Sequence, residues 1–241
     1  MARALVLVGH GSSKNPNTRK PICGIVNEIR SRGLFDEVRC GLLKQDPRVC
    51  KCLDPLKSEE IVVVPFFISD GYYTQTIIPT CLKLNEPSSR QIRYTRAVGS
   101  HPLFAELILK HAADAGWQSG DALVVMGHGT PKNPASGINV YLQAERIRQR
   151  HPREEIITTF IDDAPFVTEA WTLCQARRIF VVPLFIGDGW HVTETIPEDL
   201  GLVDGCARQG TREMVMTSAV GTDPQLIEVV LALAASTDDA G

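Results

Sequence analysis

His128 stands between Gly127 and Gly129, and His191 follows Asp188, Gly189 and Trp190. Each lies just beyond an apolar run of the kind that forms a buried strand, "ALVVM" and "IFVVPLFI". A neutral imidazole offers one lone pair, which either binds a first-row divalent ion or accepts a proton, and its reference pKa of about 6.5 suits both near neutral pH. Carboxylates accompany the pair: Asp162 and Asp163 in "FIDDAP", and Glu194 three residues after His191. Two imidazoles and a carboxylate suit a divalent metal held with positions left open, or a relay that moves protons. Each residue also has a plainer reading. A histidine in a strand-to-helix turn can simply cap local backbone groups. Acids just before a helix beginning near Pro165 can simply answer the helix dipole.

The elements that must position these residues occur twice. "ALVLVGHGSSKNP" at residues 4–16 matches "ALVVMGHGTPKNP" at 122–134, and "IVVVPFFISDG" at 61–71 matches "IFVVPLFIGDG" at 179–189. The offset is 118 positions in both cases (128 − 10 for the histidines, 183 − 65 for the prolines). Further on, "AVGSHP" and "AVGTDP" are offset by 122 (219 − 97), so the second copy carries an insertion near "GCARQGT", read as a surface loop. Apolar strand-like runs alternate with segments of helical period such as "YLQAERIRQRH" and "HPLFAELILKHAADAG". The pattern predicts an α/β chain of two tandem units, 1–118 and 119–241, each a four-stranded parallel sheet flanked by helices, with a cleft between the units. In such sheets ligands collect beyond the carboxyl ends of the strands.

The two copies disagree at the chemically interesting positions. The first keeps His10, but has Tyr73 and Thr76 at the positions of His191 and Glu194, and Lys44 and Gln45 at those of Asp162 and Asp163. The second unit therefore reads as the working site and the first as a degenerate duplicate. Trp190, Tyr72 and Tyr73 could wall one face of a flat ligand, although aromatic residues beside a strand are commonly core.

Composition removes other classes. With 44% hydrophobic and 22% charged residues among 241, the chain can bury a substantial core. A formal charge of -3 gives no electrostatic reason to expect a nucleic-acid backbone as partner. The apolar start "MARALVLVGHG" is too short for a signal-peptide core or a membrane span, which suggests a cytoplasmic product and no membrane partner. Seven cysteines without secretory context read as reduced thiols, and Cys50 with Cys52 lacks a second pair at zinc or iron–sulfur spacing.

A strand followed by "GHG[ST]" near the start of each unit, then "VVPLFI" with glycine, histidine and Ile-Pro, resembles the sirohydrochlorin cobaltochelatase family, the class II, ATP-independent tetrapyrrole chelatases. The likeness runs over nearly the whole chain as a two-unit form, carried by "GHGT" through His128 and "GDGWHVTETIP" through His191. It implies insertion of cobalt, iron or nickel into sirohydrochlorin or a close relative, with the metal as substrate and no tightly bound cofactor. It places metal binding and proton acceptance on His128 and His191, with Glu194 as a further catalytic candidate, and puts Asp162 or Asp163 where the family often has an acid. It also makes Gly127, Gly129, Thr130, Gly189, Trp190, His10 and Tyr73 candidate substrate contacts, with Lys14 and Lys132 as anchors for substrate carboxylates. Two departures stand out: Thr195 precedes Ile-Pro where many members have an acid, and the complete histidine pair sits in the second unit. The latter arrangement is similar to that of the related anaerobic cobaltochelatases and ferrochelatases. Competing readings are a tetrapyrrole or metal carrier without turnover, and phosphoryl chemistry on histidine, which the glycines at 9 and 127, in place of an arginine, argue against.

Overall fold

A computed structural model of the protein describes residues 2–13, 15–131 and 134–236. The first sheet consists of β1 (Arg3–Gly9), β2 (Glu37–Leu42), β3 (Glu60–Pro65) and β4 (Gln91–Tyr94), all parallel, in the order β2-β1-β3-β4. The second has β5 (Ala122–Gly127), β6 (Glu155–Phe160), β7 (Arg178–Pro183), β8 (Cys206–Gln209) and β9 (Arg212–Met216), in the order β6-β5-β7-β9-β8. Continuous apolar runs predict strands covered on both faces, and every residue of β5 is buried. Registers repeat with the sequence: Ala4 pairs with Glu37 and Ile61, and Ala122 with Glu155 and Ile179.

Helices follow the expected period. In α1 (Lys20–Ser31) the residues Ile22, Val26 and Ile29 face inward, and in α4 (Ile138–Arg150) Val140, Ala144 and Ile147 do so at the same spacing. The cores are built from matching residues: Val6, Val8, Val63 and Ile78 in one, Val124, Met126, Val181 and Ile196 in the other.

Compactness divides the chain at other points than the sequence repeat. One unit comprises Met1–His101 with Pro224–Gly241, and the other Pro102–Asp223. The terminal helix of each repeat therefore packs on the sheet of the other. Thus α3 (Leu103–Asp114) lies against α4 and β7, while α7 (Leu226–Ala235) lies against β3. Arg93 donates to the carbonyls of Leu233 and Ala234 at the carboxyl end of α7, where a cation is favoured. In the other unit Lys110 of α3 pairs with the buried Asp223 at 2.9 Å.

Two expectations are corrected. The segment "GCARQGT" is not a loop: β8 runs antiparallel to β9, so the second sheet has five strands, one of them antiparallel. Gly210, at φ +61°, supplies the left-handed residue its tight turn needs, and Arg208 pairs with Glu213 directly across the ladder. Also, the helix expected near Pro165 begins two residues further on and is short. A 3-10 turn starts at Val167 and the single-turn α5 (Ala170–Leu173) follows, so the dipole explanation for Asp162 and Asp163 fails. Among the described residues no helix is long and apolar enough to cross a membrane.

A glutamate starts the second strand of each repeat and fastens the approach to the third. Glu37 Oε2 accepts from the Lys57 and Ser58 amides and the Ser58 hydroxyl, all at 2.8 Å, and Glu155 accepts from the Gln175 and Ala176 amides at 2.7 and 2.9 Å. The Ser58 hydroxyl is the main cause holding the Glu37 carboxyl below its ordinary range. A depressed carboxyl contributes stability above its unfolded pKa and loses it as pH falls through the folded one. Glu37→Ala should therefore lower stability at pH 7 by about 1–2 kcal/mol, since it orphans donors at the buried Ser58. The deficit relative to the parent should shrink below about pH 4, where the parent protonates the same carboxyl, as read by denaturant titration across pH.

Candidate functional site

The three loops at the carboxyl ends of β5, β6 and β7 carry the candidate residues of the second compact unit. The Gly-His-Gly turn is dictated by packing. A Cβ on Gly127 would lie 2.6 Å from Val140 Cγ2, and Gly129 adopts φ +69° with Phe160 and Asp163 Cβ atoms 2.8 Å from where its own would be. His128 is thereby held outward and stays exposed. Its Nδ1 lies 2.8 Å from the Gly129 carbonyl oxygen, which can only accept. Nδ1 therefore carries the proton, and the lone pair is on Nε2. The plain reading, a histidine capping local backbone, thus describes one nitrogen and leaves the other available.

Asp162 and Asp163 part company. The Asp162 amide donates to the His128 carbonyl at 2.9 Å, and its Oδ2 lies 3.5 Å from His128 Nδ1. Both side chains are about half exposed (49% and 54%), so this pair adds little to folding and its value lies in orienting the imidazole. Asp163 instead packs beneath Gly129 and accepts from the Ala164 amide at 2.9 Å.

After β7 the chain winds as a π-helix over His191–Thr195, with the Ile196 amide donating to the His191 carbonyl. Pro197 has no amide to offer, and its ring excludes the regular helical position of the carbonyl four residues earlier, which favours the wider turn. His191 opens this turn, and α6 (Ile196–Leu200) continues it. Its ring meets that of His128 edge to face, with centroids 5.1 Å apart and planes at 86°. His191 Nδ1 is shielded from solvent without a hydrogen-bond partner, one of three such side-chain atoms among the described residues. An unpaired buried polar atom carries a penalty of about 1–3 kcal/mol, the kind of burden that functional positions retain. Trp190, just before it, is 71% exposed, and Tyr72 and Tyr73 are also exposed, so these aromatics are not core.

The first unit reproduces the geometry with other chemistry. His10 Nδ1 meets the Gly11 carbonyl at 2.7 Å, and the Tyr73 ring sits 5.0 Å from that of His10 at 81°. Tyr73 opens a matching π-helix over Tyr73–Ile77. The Lys44 amide donates to the His10 carbonyl at 2.9 Å, as that of Asp162 does to His128. Imidazole, imidazole and carboxylate in one unit thus correspond to imidazole, phenol and ammonium in the other. A dication is attracted by the first set and repelled by the lysine of the second.

Glu194 is exposed and makes no hydrogen bond or ion pair with either histidine. Gly189 takes part through its backbone: its carbonyl accepts from the Val192 and Thr193 amides at 2.9 and 3.1 Å. Thr130 is half-buried at the end of the Gly-His-Gly turn. Lys14 and Lys132 lie outside the described residues. Among the described residues no group of three or more His, Cys, Asp or Glu side chains is gathered to enclose a metal ion. The site is therefore an open imidazole pair with one carboxylate beside it.

Two positioning residues escaped the sequence reading. Asp188 Oδ1 accepts from the Ala219 amide at 2.8 Å, as Asp70 Oδ1 does from Ala97 at 2.7 Å. A Cβ on Gly221 would lie 2.3 Å from Ile186 backbone atoms, and one on Gly99 only 2.1 Å from the Ile68 carbonyl oxygen. The signal was present in the sequence: Asp-Gly and Ala-Val-Gly also occur in the copy that has Tyr73 in place of the second histidine.

The model of the CbiX family matches residues 4–115 and again residues 122–237. This chain belongs to that family. A probable sirohydrochlorin cobaltochelatase of Halobacterium salinarum is 36% identical, covering 99% of this chain and 92% of that protein. Among solved structures, a multi-domain Deinococcus radiodurans protein with structural similarity to chelatases matches at TM-score 0.79 and 26% identity, with 100% of this chain covered but only 56% of that one. SirB from Bacillus subtilis, solved with Fe3+, matches at TM-score 0.78 over 97% of this chain and 94% of its own, and at 17% identity that likeness is one of fold. As a member of the CbiX family the chain belongs among the class II chelatases, with the complete histidine pair in its second repeat.

Gly221→Ala should displace the segment that leads to His191 and lower stability by about 2–3 kcal/mol. Its thermal midpoint should fall clearly, whereas Gly189→Ala, with no atom within 4 Å of the added methyl, should leave the midpoint nearly unchanged.

Proposed function

We propose that this chain inserts a divalent metal, cobalt, iron or nickel, into sirohydrochlorin or a closely related tetrapyrrole, at the histidine pair of its second repeat. The observation that supports this most directly is the 5.1 Å edge-to-face approach of His128 and His191 with Asp162 beside the former. Metallation exchanges two pyrrole protons for one dication, so the site must hold the metal and receive protons. One nitrogen cannot do both at once; two histidines divide the work. His128, with Nδ1 committed to the Gly129 carbonyl, presents Nε2 as ligand or base, and the neighbouring Asp162 carboxylate helps hold the ring in place. An open pair suits a metal that must be released into the macrocycle, where an enclosing cage would retain it. The exposed Trp190 supplies an aromatic face for a flat ring. Seven free cysteines fit a reducing compartment, and we place the reaction in the cytoplasm on that ground.

His128→Ala or His191→Ala should reduce metal insertion by about a hundredfold or more, in the range general acid–base groups supply, with the thermal midpoint retained. Asp162→Asn should have a smaller effect, and His10→Ala the least. The measurement is the absorption spectrum of sirohydrochlorin incubated with enzyme and each metal separately. Full activity in His191→Ala would remove the assignment, and tight binding of sirohydrochlorin with no spectral change on adding metal would mark a carrier instead.

A further inference from the structure

The compact unit that includes β1 to β4 contains a cavity of about 330 Å³ between α1, β2 and the turn at residues 49–51. Ligand pockets begin near this size. Four cations border it, Arg19, Arg30, Arg39 and Lys51, and no carboxylate does. All four are exposed, and none forms an ion pair among the described residues. Arg19 donates to the Asp46 carbonyl oxygen at 3.4 Å, and Arg30 to that of Val38 at 2.8 Å. Val26 and Cys52 are buried below, with Cys23 and Cys40 half-buried. Burial pushes the Cys40 and Cys52 thiols up, so they stay neutral at physiological pH and oppose no anion.

The second repeat serves as an internal control. At the 118-residue offset, Arg30 matches Arg148, and both donate to a carbonyl at corresponding positions of the adjacent strand, Val38 and Ile156. That arginine belongs to the fold. The other three cations do not recur: Gly137, Ile157 and Glu169 stand opposite Arg19, Arg39 and Lys51, and Glu145 stands opposite Asn27. Four positive charges in one copy therefore correspond to one positive and two negative in the other. The three cysteines correspond to Tyr141, Thr158 and Ala170. A chain with a net charge of -3 concentrates unpaired cations at one concavity of the copy that lacks the second histidine.

We propose that this cavity is a binding site for a small polyanion with an apolar body, a phosphorylated or polycarboxylate metabolite, separate from the histidine site. Arginine forks engage phosphate and carboxylate oxygens in pairs, and the thiol and Val26 floor receives the apolar part. None of His10, Lys44 or Tyr73 lines it.

The test uses the full-length protein with pyrophosphate and citrate as probes, followed by calorimetric titration and by alkylation of thiols with N-ethylmaleimide mapped by mass spectrometry. Cys23 lines the cavity, whereas the exposed Cys50 does not and serves as the reference. A bound anion should slow alkylation of Cys23 several-fold and leave Cys50 unchanged; protection by pyrophosphate alone identifies a phosphorylated ligand, and by citrate alone a polycarboxylate. The double substitution R39I/K51E, which installs the residues of the second repeat, should weaken binding by at least about tenfold, with metal insertion unaffected. If that variant fails to fold, Lys51→Gln and the protection of Cys23 in the parent protein decide the matter. Equal binding by a folded variant, or no protection of Cys23 by either anion at millimolar concentration, would overturn the proposal.

Discussion

The position of the loop that bears His191 is set by two backbones meeting with no side chain between them. Gly221 lies against Ile186, and Asp188 is tied to the Ala219 amide, so the path of the chain from the end of β7 is fixed before His191 is reached. The same contacts join Gly99 to Ile68 and Asp70 to Ala97. Given that anchoring and a π-turn in front of each Ile-Pro, residue 191 arrives 5.1 Å from His128 and residue 73 arrives 5.0 Å from His10. The fold delivers a ring to the same place in both repeats and does not care which ring it is.

Function then resides in the choice of side chain. A phenol in place of an imidazole removes a lone pair suited to a divalent ion or a proton while preserving the edge-to-face packing, and lysine in place of aspartate reverses the local charge. Because the backbone is common to both, each repeat acts as a control for the other. Features shared by the two copies report what the fold requires, such as the Gly-His-Gly turn and the Ala-Val-Gly contact. Features that differ report what one copy has kept or gained: the histidine pair in the second, and the cluster of unpaired cations in the first.

Much of this was legible in the sequence, because burial on both faces forces continuous apolar strands and a duplication makes them conspicuous. The repeat offset, the parallel sheets and the neighbouring of His128 and His191 all follow from it. What could not be read depends on local geometry that composition does not encode. Gly210 turning β8 back onto β9 takes one left-handed residue and one cross-strand ion pair, which look like a loop in one dimension. The division between Asp162 and Asp163 rests on which side chain the Gly-His-Gly turn leaves room beside. Exchange of the terminal helices is equally invisible, since α3 and α7 have similar apolar patterns and either sheet would accept either helix by that criterion alone.

That exchange sets the order in which a nascent polypeptide can complete itself. The unit bearing the histidine pair is continuous, Pro102–Asp223, and has all its parts once those residues have left the ribosome. The sheet that starts with β1 precedes that unit in the chain, yet it lacks one of its covering helices until α7, which follows the whole of that unit, has emerged. Its apolar surface must wait while the whole of Pro102–Asp223 is synthesised, so the later of the two units is the first to have all its parts, against the usual order of maturation along a chain.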